Sequence, residues 1–318
     1  MKSIRAQVQI KSLSEYLRKI EKKGFSTERG FFPRVFYRGE ADSSWEQKAS
    51  LFRGKSDDYD NFKDVNWSLE RDLLKSAMIQ YPEVFKDCPN AISRLVRMQH
   101  YTLPTRLYDV TSNPLVALYF ACCTEFDKDG IVLYTKSDVG LTSLAEIDIL
   151  ADLVELLDES EKSVKNMFDY LRVNDRVPVC SNEQSLEKFL FKRITESLLF
   201  QPPMDNERIK RQQGAFVFSA LMKPFYGFKD YRPLKRDLEN KDRLSDSMKD
   251  LAFSKCREVD LRGLFEAKYF YIKSENKIQL LRELDLVGIN EAYVYPEVEH
   301  RMKTIKFKNL PKNSEMLI

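Results

Sequence analysis

The densest group of residues that could carry out chemistry lies between positions 99 and 112. His100 could act as a general acid or base near neutral pH, and Asp109 could orient its ring or accept a hydrogen bond from Arg106. The neutral and basic members of this segment that we expect to contact a ligand are Gln99, Tyr101, Thr105, Arg106, Thr111 and Ser112. The alternative is a buried polar hub, in which Asp109 caps the following helix and Arg106 joins two loops.

A second candidate position follows a short predicted strand. Arg38 ends that strand and Gly39 comes next, so a guanidinium could leave the sheet edge where a backbone without Cβ lets a ligand approach. This arrangement suits a phosphate or a carboxylate ligand. Pairing of Arg38 with a structural carboxylate such as Asp109 is the competing interpretation.

A third polar stretch precedes a later apolar strand. Gln212 and Gln213 stand directly before a glycine, and Arg208 comes shortly before them. The two amides could hydrogen-bond the ribose of a nucleotide. Arg208 could bind a ligand, or it could belong with Lys210 and Arg211 to a solvated basic surface.

Apolar strands and amphipathic helices are predicted to hold these residues in place. The predicted strands cover residues 34–38, 130–136, 215–222 and 268–273, with a last one near 292–296. The predicted helices cover 66–81, about 91–101, 114–126 and 275–288. Residues 105–112 are predicted to be irregular. The order of elements favours an α+β domain with a twisted mixed sheet flanked by helices.

The chain is predicted to form three parts of that domain. Residues 1–30 form an N-terminal strand and helix, and residues 31–222 form the core, with a helical layer at about 141–200. Residues 223–318 contain a densely charged excursion, followed by a strand, a helix and a strand that complete the same domain.

The composition argues against several classes of protein. The 318 residues include 52 Lys and Arg against 49 Asp and Glu, and a net charge of +3 is too small to attract nucleic acid or an anionic membrane by itself. No apolar run approaches the roughly 20 residues that cross a bilayer, so we expect a cytoplasmic protein without a membrane partner. Five cysteines and two histidines follow no ligand spacing, so no metal site is predicted. Glycine-rich phosphate loops and Gly-x-Ser-x-Gly elbows do not occur in the sequence.

With these residues in view, the sequence resembles the FRG-domain family over about residues 7–300. The matching motifs, in chain order, are Phe36-Tyr37-Arg38-Gly39, Ser50-Leu51-Phe52-Arg53, Gln99-His100-Tyr101-x-x-Pro104-Thr105-Arg106-Leu107-x-Asp109-x-Thr111, Asn113-Pro114-Leu115-Val116-Ala117-Leu118-Tyr119-Phe120-Ala121, Arg208-Ile209-x-x-Gln212-Gln213-Gly214-x-Phe216 and Tyr295-Pro296-Glu297. Three positions depart from the family pattern: Glu40 stands where Gln is usual, Tyr108 where Leu is common and Val110 where Trp is typical. The change at Val110 would widen a pocket or remove a stacking ring.

The resemblance implies a mostly bacterial protein whose motif order is similar to the three-part nicotinamide adenine dinucleotide (NAD) site of the ADP-ribosyltransferase superfamily. In such a site Arg38 would hold a phosphate, while Thr111 and Ser112 would support the nicotinamide ribose. Gln212 or Gln213 would take the third place, beside the glycosidic bond. The resemblance therefore implies a small-molecule nucleotide as ligand, with NAD as substrate or cofactor.

The residue beside the glycosidic bond, at the third position of the site, decides what chemistry the resemblance implies. An amide such as that of Gln213 stabilises oxocarbenium-like charge less well than a carboxylate does. The sequence therefore favours altered transferase chemistry, or glycohydrolysis that uses His100 or Glu207. We take His100, Asp109 and Gln213 as the candidate catalytic residues.

Two other classes of function are open. His100 and Asp109 could activate water in a hydrolase or nuclease, or the chain could be a non-catalytic module that senses a nucleotide or a partner. An effector in bacterial defence, including phage defence, or in stress responses is what the family implies, with a protein or a nucleic acid as target. In each case we expect Arg38, the segment 99–112 and Gln212 or Gln213 to meet at one cleft.

Overall fold

Short apolar segments pair into one mixed sheet of seven strands. The computed structural model describes residues 7–22, 35–53, 67–135, 140–156, 164–175, 193, 196–204, 206–219, 264–266 and 269–297. The strands are β1 (Gln7–Ile10), β2 (Tyr37–Glu40), β3 (Leu107–Thr111), β4 (Gly130–Tyr134), β5 (Leu198–Phe200), β6 (Gly214–Phe218) and β7 (Tyr269–Ile272). Their order across the sheet is β1-β7-β4-β2-β3-β6-β5. Among these described strands, β1 and β7 alone are parallel neighbours, so the predicted α+β class with a mixed sheet is confirmed.

In the described part of the chain, helices lie between most pairs of successive strands. They are α1 (Leu13–Lys22), α2 (Trp67–Gln80), α3 (Pro82–Phe85), α4 (Ala91–His100), α5 (Pro114–Cys122), α6 (Leu144–Leu156), α7 (Val164–Val173), α8 (Glu207–Gln212), α9 (Ser274–Leu286) and α10 (Glu291–Val294), with a short 3-10 helix at Ser50–Phe52. In the described parts of the chain, no helix is long and apolar enough to cross a membrane.

Two separate hydrophobic cores cover one face of the sheet. The first packs α1, α5 and α9 against strand residues that include Tyr37 and Phe270. The second packs α2, α4 and α6 against Leu107 and Phe216. Residues opposite each other in a sheet share a face. Because Tyr37 pairs with Thr111, and Phe216 with Asp109, both polar residues of β3 lie on the same face, where the two cores adjoin.

Helix α5 crosses β2 at a distance that only glycine allows. A Cβ added to Gly39 would lie 2.8 Å from the main-chain nitrogen of Ala121 and 2.9 Å from the carbonyl carbon of Ala117, with the oxygen of Ala117 closer still. The glycine after Arg38 is therefore required by helix packing. The sequence had suggested instead that the missing Cβ admits a ligand.

Replacing Gly39 by alanine is expected to lower the free energy of unfolding by about 3 kcal/mol, because both clashing partners are backbone atoms of α5 that cannot rotate away. Gly140→Ala is the matched control, since a Cβ there meets nothing within 4 Å. Denaturant unfolding followed by circular dichroism compares the two variants. Equal stability of Gly39→Ala and Gly140→Ala would contradict the packing explanation.

Two predicted elements have the wrong type. Residues 105–112 were expected to be irregular, but β3 occupies their centre because Tyr108 and Val110 are buried and pair in register with β6. The segment near 292–296 was expected to be a strand. It begins instead with the short helix α10, because Asn290 accepts a hydrogen bond from the main-chain nitrogen of Tyr293 and caps it.

Other predicted elements are shifted or lie outside the described residues. The strand predicted at 34–38 is β2 at Tyr37–Glu40, and β5 adds an edge strand at the end of the predicted helical layer. Helices α4 and α5 begin as predicted, at Ala91 and Pro114. The charged excursion that begins at 223 lies outside the described residues.

Candidate functional site

The sheet opens between β2 and β3, at its centre. Strand β2 pairs with β4 over all four of its residues, but it pairs with β3 only where Tyr37 meets Thr111. Beyond that pair, the guanidinium of Arg38 spans the opening, and its Nη1 donates to the main-chain oxygen of Asp109 at 3.1 Å. A side chain thus takes the place of a ladder hydrogen bond, and the two strands leave a gap.

The peptide groups of Gly39 and Asp109 point into this gap. In an antiparallel ladder, successive residues direct their N–H and C=O groups to alternate neighbours. The main-chain oxygen of Phe36 accepts a hydrogen bond from the nitrogen of Thr135, which directly follows β4, so the peptide groups of Phe36 face β4. Because the direction alternates along the strand, the peptide groups of Gly39, three residues further on, face β3. The main-chain oxygen of Arg106 accepts a hydrogen bond from the residue that directly follows β6, so the peptide groups of Arg106 face β6. The peptide groups of Asp109, three residues further on, therefore face β2. Gly39 therefore offers one donor and one acceptor, the pair that a carboxamide or a base edge needs.

A cleft of about 280 Å³ lies over the gap, close to the lower end of the range for small-ligand pockets. Its lining contains Tyr37, Arg38, Gly39, Ala41, Trp45, Gln99, Asp109, Val110, Thr111, Phe120, Cys123, Thr124, Arg208, Gln212 and Tyr295. The structure thus brings together residues from all three polar stretches of the sequence. Among the described lining residues, Asp109 is the one carboxylate.

Asp109 is a carboxylate surrounded by donors. Its side chain is 51% exposed; Oδ2 accepts from Gln99 Nε2 at 2.9 Å and lies 3.4 Å from Arg38 Nη1. The hydroxyl of Thr105 donates to Gln99 Oε1 at 2.6 Å, which fixes the amide with its NH2 group toward Asp109. The buried Thr105 is itself held in place, because its main-chain nitrogen donates to Ser50 Oγ. Both neighbours donate to the carboxylate of Asp109, so these bonds hold it in place beside the gap.

Arg38 is engaged on both sides and is not a free cation. Its Nε lies 3.7 Å from Glu40 Oε1, and its guanidinium stacks over the ring of Tyr108 at 4.6 Å. The hydroxyl of Tyr108 donates to the buried Glu40 at 2.8 Å. Two of the departures from the family pattern therefore contact each other. With Asp109 on its other side, Arg38 holds the opening between β2 and β3 in shape.

Arg106 and Thr105 do not line the cleft. Arg106 is 1% exposed, and its Nε donates to Glu70 Oε2 at 2.6 Å, while its main-chain nitrogen donates to Glu70 Oε1 at 2.8 Å. This ion pair fastens α2 to the start of β3. Arg106 is therefore a buried structural residue, as the alternative proposed, but it joins a helix to a strand and not two loops.

His100 lies in a second, smaller cavity next to the cleft, together with Asp87 and Arg97. Its Nε2 is 3.2 Å from Glu297 Oε1, and the exposed Tyr101 contacts it edge-on. Burial, reinforced by the nearby charge of Arg208, lowers the pKa of His100 below its ordinary value. The imidazole is therefore neutral at pH 7, and it does not share the cleft with Asp109.

The third polar stretch fastens α8 to its neighbours. Thr111 Oγ1 donates to the main-chain oxygen of Gln212 at 2.5 Å, and Gln212 Nε2 donates to the oxygen of Val294 at 3.1 Å. The main-chain nitrogen of Ser112 donates to the oxygen of Gln213 at 3.1 Å. Gln212 lines the cleft, whereas Ser112 and Gln213 lie outside its lining. Helix α5 is capped by Asn113, not by Asp109.

Gln213 adopts a left-handed backbone, with φ of +46°, at the end of α8. Glycine tolerates that conformation best, so Gln213→Gly is expected to keep or raise the stability, by up to about 1 kcal/mol. If Gln213 acts only as this helix cap, any activity of the protein survives the change. Thermal unfolding and turnover of the same sample test both expectations, and folded but inactive protein would restore Gln213 as a catalytic residue.

The aromatic part of the site was not predicted from the sequence. Trp45 and Phe120 line the cleft with Tyr37 and Tyr295. Phe120 lies in the helix predicted at 114–126, and Trp45 lies in a polar loop without periodicity. Tyr295 belongs to the terminal family motif, which was the available signal for its role.

Cys123 also lines the cleft, but it is not poised for nucleophilic chemistry. Burial raises the pKa of its thiol to about 11. The thiol is therefore protonated at neutral pH, whereas nucleophilic cysteines need the thiolate. Among the described residues, no group of three or more His, Cys, Asp and Glu could hold a metal ion.

Comparison with known proteins gives one match. The family model of the FRG domain matches residues 33–130, which include β2, β3, α4 and α5. No curated protein and no solved structure matches this sequence. Arg38, Gly39, Gln99 and Asp109 fall inside the matched range, and Arg208 and Tyr295 fall outside it.

Proposed function

We propose that the gap between strands β2 and β3, within the residues that match the FRG-domain model, binds NAD and promotes cleavage of the nicotinamide–ribose bond. The observation that carries this proposal is Asp109, a half-exposed carboxylate held by two donors beside an open peptide edge. Depending on the acceptor, the protein would be an NAD glycohydrolase or an ADP-ribosyltransferase-like enzyme.

The cleft is suited to a flat, cationic ring that carries an amide. Trp45, Phe120 and Tyr295 provide aromatic surfaces, against which a nicotinamide ring can stack. The N–H and C=O groups of Gly39 complement the carboxamide of that ring. A volume of about 280 Å³ accommodates the nicotinamide end of the dinucleotide, while the adenosine end lies outside the cleft.

Asp109 would act while the glycosidic bond breaks. The bond from the ribose carbon to the ring nitrogen breaks, its electron pair stays with nicotinamide, and nicotinamide leaves as a neutral molecule. The ribose carbon becomes oxocarbenium-like, and a carboxylate held in place stabilises such charge. Water or a target group then forms the new bond to that carbon, and its proton is transferred to Asp109. An amide such as that of Gln213 would stabilise this charge less well, but in this proposal the carboxylate of Asp109 supplies the stabilisation.

A non-catalytic nucleotide sensor is the second candidate function. It is favoured by the position of His100, which lies in the neighbouring cavity and offers Asp109 no proton relay. The same separation gives no support to a hydrolase or nuclease in which these two residues share one water. The role in bacterial defence or stress would follow from NAD consumption in the first case and from NAD sensing in the second.

Incubation of the purified chain with NAD distinguishes these functions. Free nicotinamide is measured by liquid chromatography, and binding is measured by calorimetry on the same preparation. Release of nicotinamide supports the enzyme, and binding without release supports the sensor. Absence of both binding and release would refute the proposal.

A further inference from the structure

Among the described residues that line the cleft, Arg208 is the cation that remains open to a ligand. It lies on α8, its side chain is 29% exposed, and its guanidinium stacks over the ring of Tyr295 at 4.7 Å. Its acidic neighbour, Glu297, approaches Nη1 only to 3.9 Å. Arg38, by contrast, is engaged by Asp109 and Glu40. An anionic group in the cleft therefore meets Arg208 without first displacing a close ion pair.

Glu297 also contacts His100, which lies in the cavity next to the cleft. The carboxylate oxygen that faces Arg208 is also the one that lies 3.2 Å from His100 Nε2. One oxygen is thus shared between a guanidinium at the cleft and an imidazole in the adjoining cavity. In the described part of the chain, the other charged groups around His100 are Arg97 on its own helix and Asp87 in the wall of its cavity.

We infer that Arg208 binds a phosphate of the ligand, and that this binding leaves Glu297 paired with His100 alone, which takes up a proton. When a phosphate neutralises Arg208, the guanidinium no longer repels a proton on His100, and Glu297 is free to pair with the imidazolium. Anion binding and protonation of His100 then favour each other. This inference rests on the proposed function for the identity of the ligand, and it assigns the phosphate to Arg208 in place of Arg38.

The sign of the pH dependence follows from this coupling. The pKa of His100 is lowered in the free protein, first by burial and then by the charge of Arg208. A bound phosphate removes the second cause and therefore raises that pKa. Since the bound state then carries more protons, affinity for the phosphate increases as the pH falls toward and through the pKa of His100.

The inference is tested on the full chain with inorganic pyrophosphate as the probe. The sequence has only two histidines, so imidazole signals in proton NMR spectra are assignable with a His300→Gln variant. Arg208→Gln is the test variant, and Arg211→Gln is its matched control, because Arg211 lies on the same helix and is not among the residues that line the cleft.

Pyrophosphate is expected to raise the pKa of His100 in the native chain and in Arg211→Gln but not in Arg208→Gln. The affinity for pyrophosphate is expected to fall about 10- to 100-fold in Arg208→Gln alone. Even without a ligand, Arg208→Gln should raise the pKa of His100. Equal affinity for pyrophosphate in the two variants would overturn the inference. A pKa of His100 that changes neither when pyrophosphate binds nor in Arg208→Gln would also overturn it.

Two nicotinamide ligands separate this inference from the proposed function. Nicotinamide mononucleotide should bind more tightly than nicotinamide riboside, and Arg208→Gln should abolish the difference. Binding of pyrophosphate at Arg208 by a protein that binds neither nicotinamide ligand would refute the proposed function and leave the anion site standing. Equal binding of the two nicotinamide ligands would refute the role of Arg208 and leave the proposed function standing.

Discussion

Asp109→Asn is expected to reduce nicotinamide release from NAD by about 10²- to 10³-fold, the usual cost of removing one group that stabilises transition-state charge. The amide keeps an oxygen that can accept from Gln99 or Arg38, so the local hydrogen bonds persist. It removes the negative charge, which is what stabilises the ribosyl cation. Affinity for NAD is expected to change much less than the rate, because the ring surfaces and the Gly39 peptide are untouched.

The matched control for this prediction is Asp87→Asn. Asp87 lies in the adjoining cavity with His100, so the substitution removes the same charge close to the site but outside the cleft. Single-turnover measurement of nicotinamide release compares both variants with the native chain. A rate in Asp109→Asn within threefold of native, or an equal loss in Asp87→Asn, would remove Asp109 from the mechanism.

Glu70→Ala is expected to lower the free energy of unfolding by about 3–5 kcal/mol, the largest stability effect that we predict. Glu70 and Arg106 are 0% and 1% exposed, and the two carboxylate oxygens of Glu70 accept from Nε and from the main-chain nitrogen of Arg106 at 2.6 and 2.8 Å. Removing the carboxylate leaves a buried guanidinium and the main-chain nitrogen of Arg106 without that acceptor. Helix α2 then loses its tie to β3, the strand that carries Asp109.

A double variant separates the pair from its surroundings. Glu70→Leu combined with Arg106→Leu replaces both charges by apolar side chains, and it should recover much of the stability that Glu70→Ala loses. Glu207→Ala is the control, because its ion pair with Lys210 is exposed and the denaturation midpoint should stay unchanged. Denaturant titrations of the three proteins give the comparison. A midpoint for Glu70→Ala equal to that of the control would show that the buried pair does not stabilise the fold.

The sequence predicted the residues of the cleft better than their roles. Arg38, Gln99 and Asp109 were recognisable because polar side chains interrupt apolar elements at those positions. Their partners were not, because hydrogen bonds such as that from Tyr108 to Glu40 join residues far apart in the chain. The burial of Arg106 depends in the same way on Glu70, which looks like an ordinary surface residue of an amphipathic helix.

The strand β3 illustrates why local pattern fails at such a site. Residues 105–112 are rich in polar side chains, and that pattern is typical of a loop. The strand forms because Tyr108 and Val110 are buried on one face of the sheet, while Asp109 faces the cleft on the other. Gly39 was noticed as unusual, but only the approach of α5 shows that packing requires it.

The most direct test of the account is a crystal structure of Asp109→Asn with NAD, since the slow variant should retain the uncleaved dinucleotide. We predict nicotinamide in the gap between β2 and β3, its carboxamide hydrogen-bonded to the peptide of Gly39 and its ribose beside residue 109. The phosphate should lie at Arg208. NAD bound elsewhere on the protein, or a gap that remains empty at saturating NAD, would contradict the central claim that this opening in the sheet is the nucleotide site.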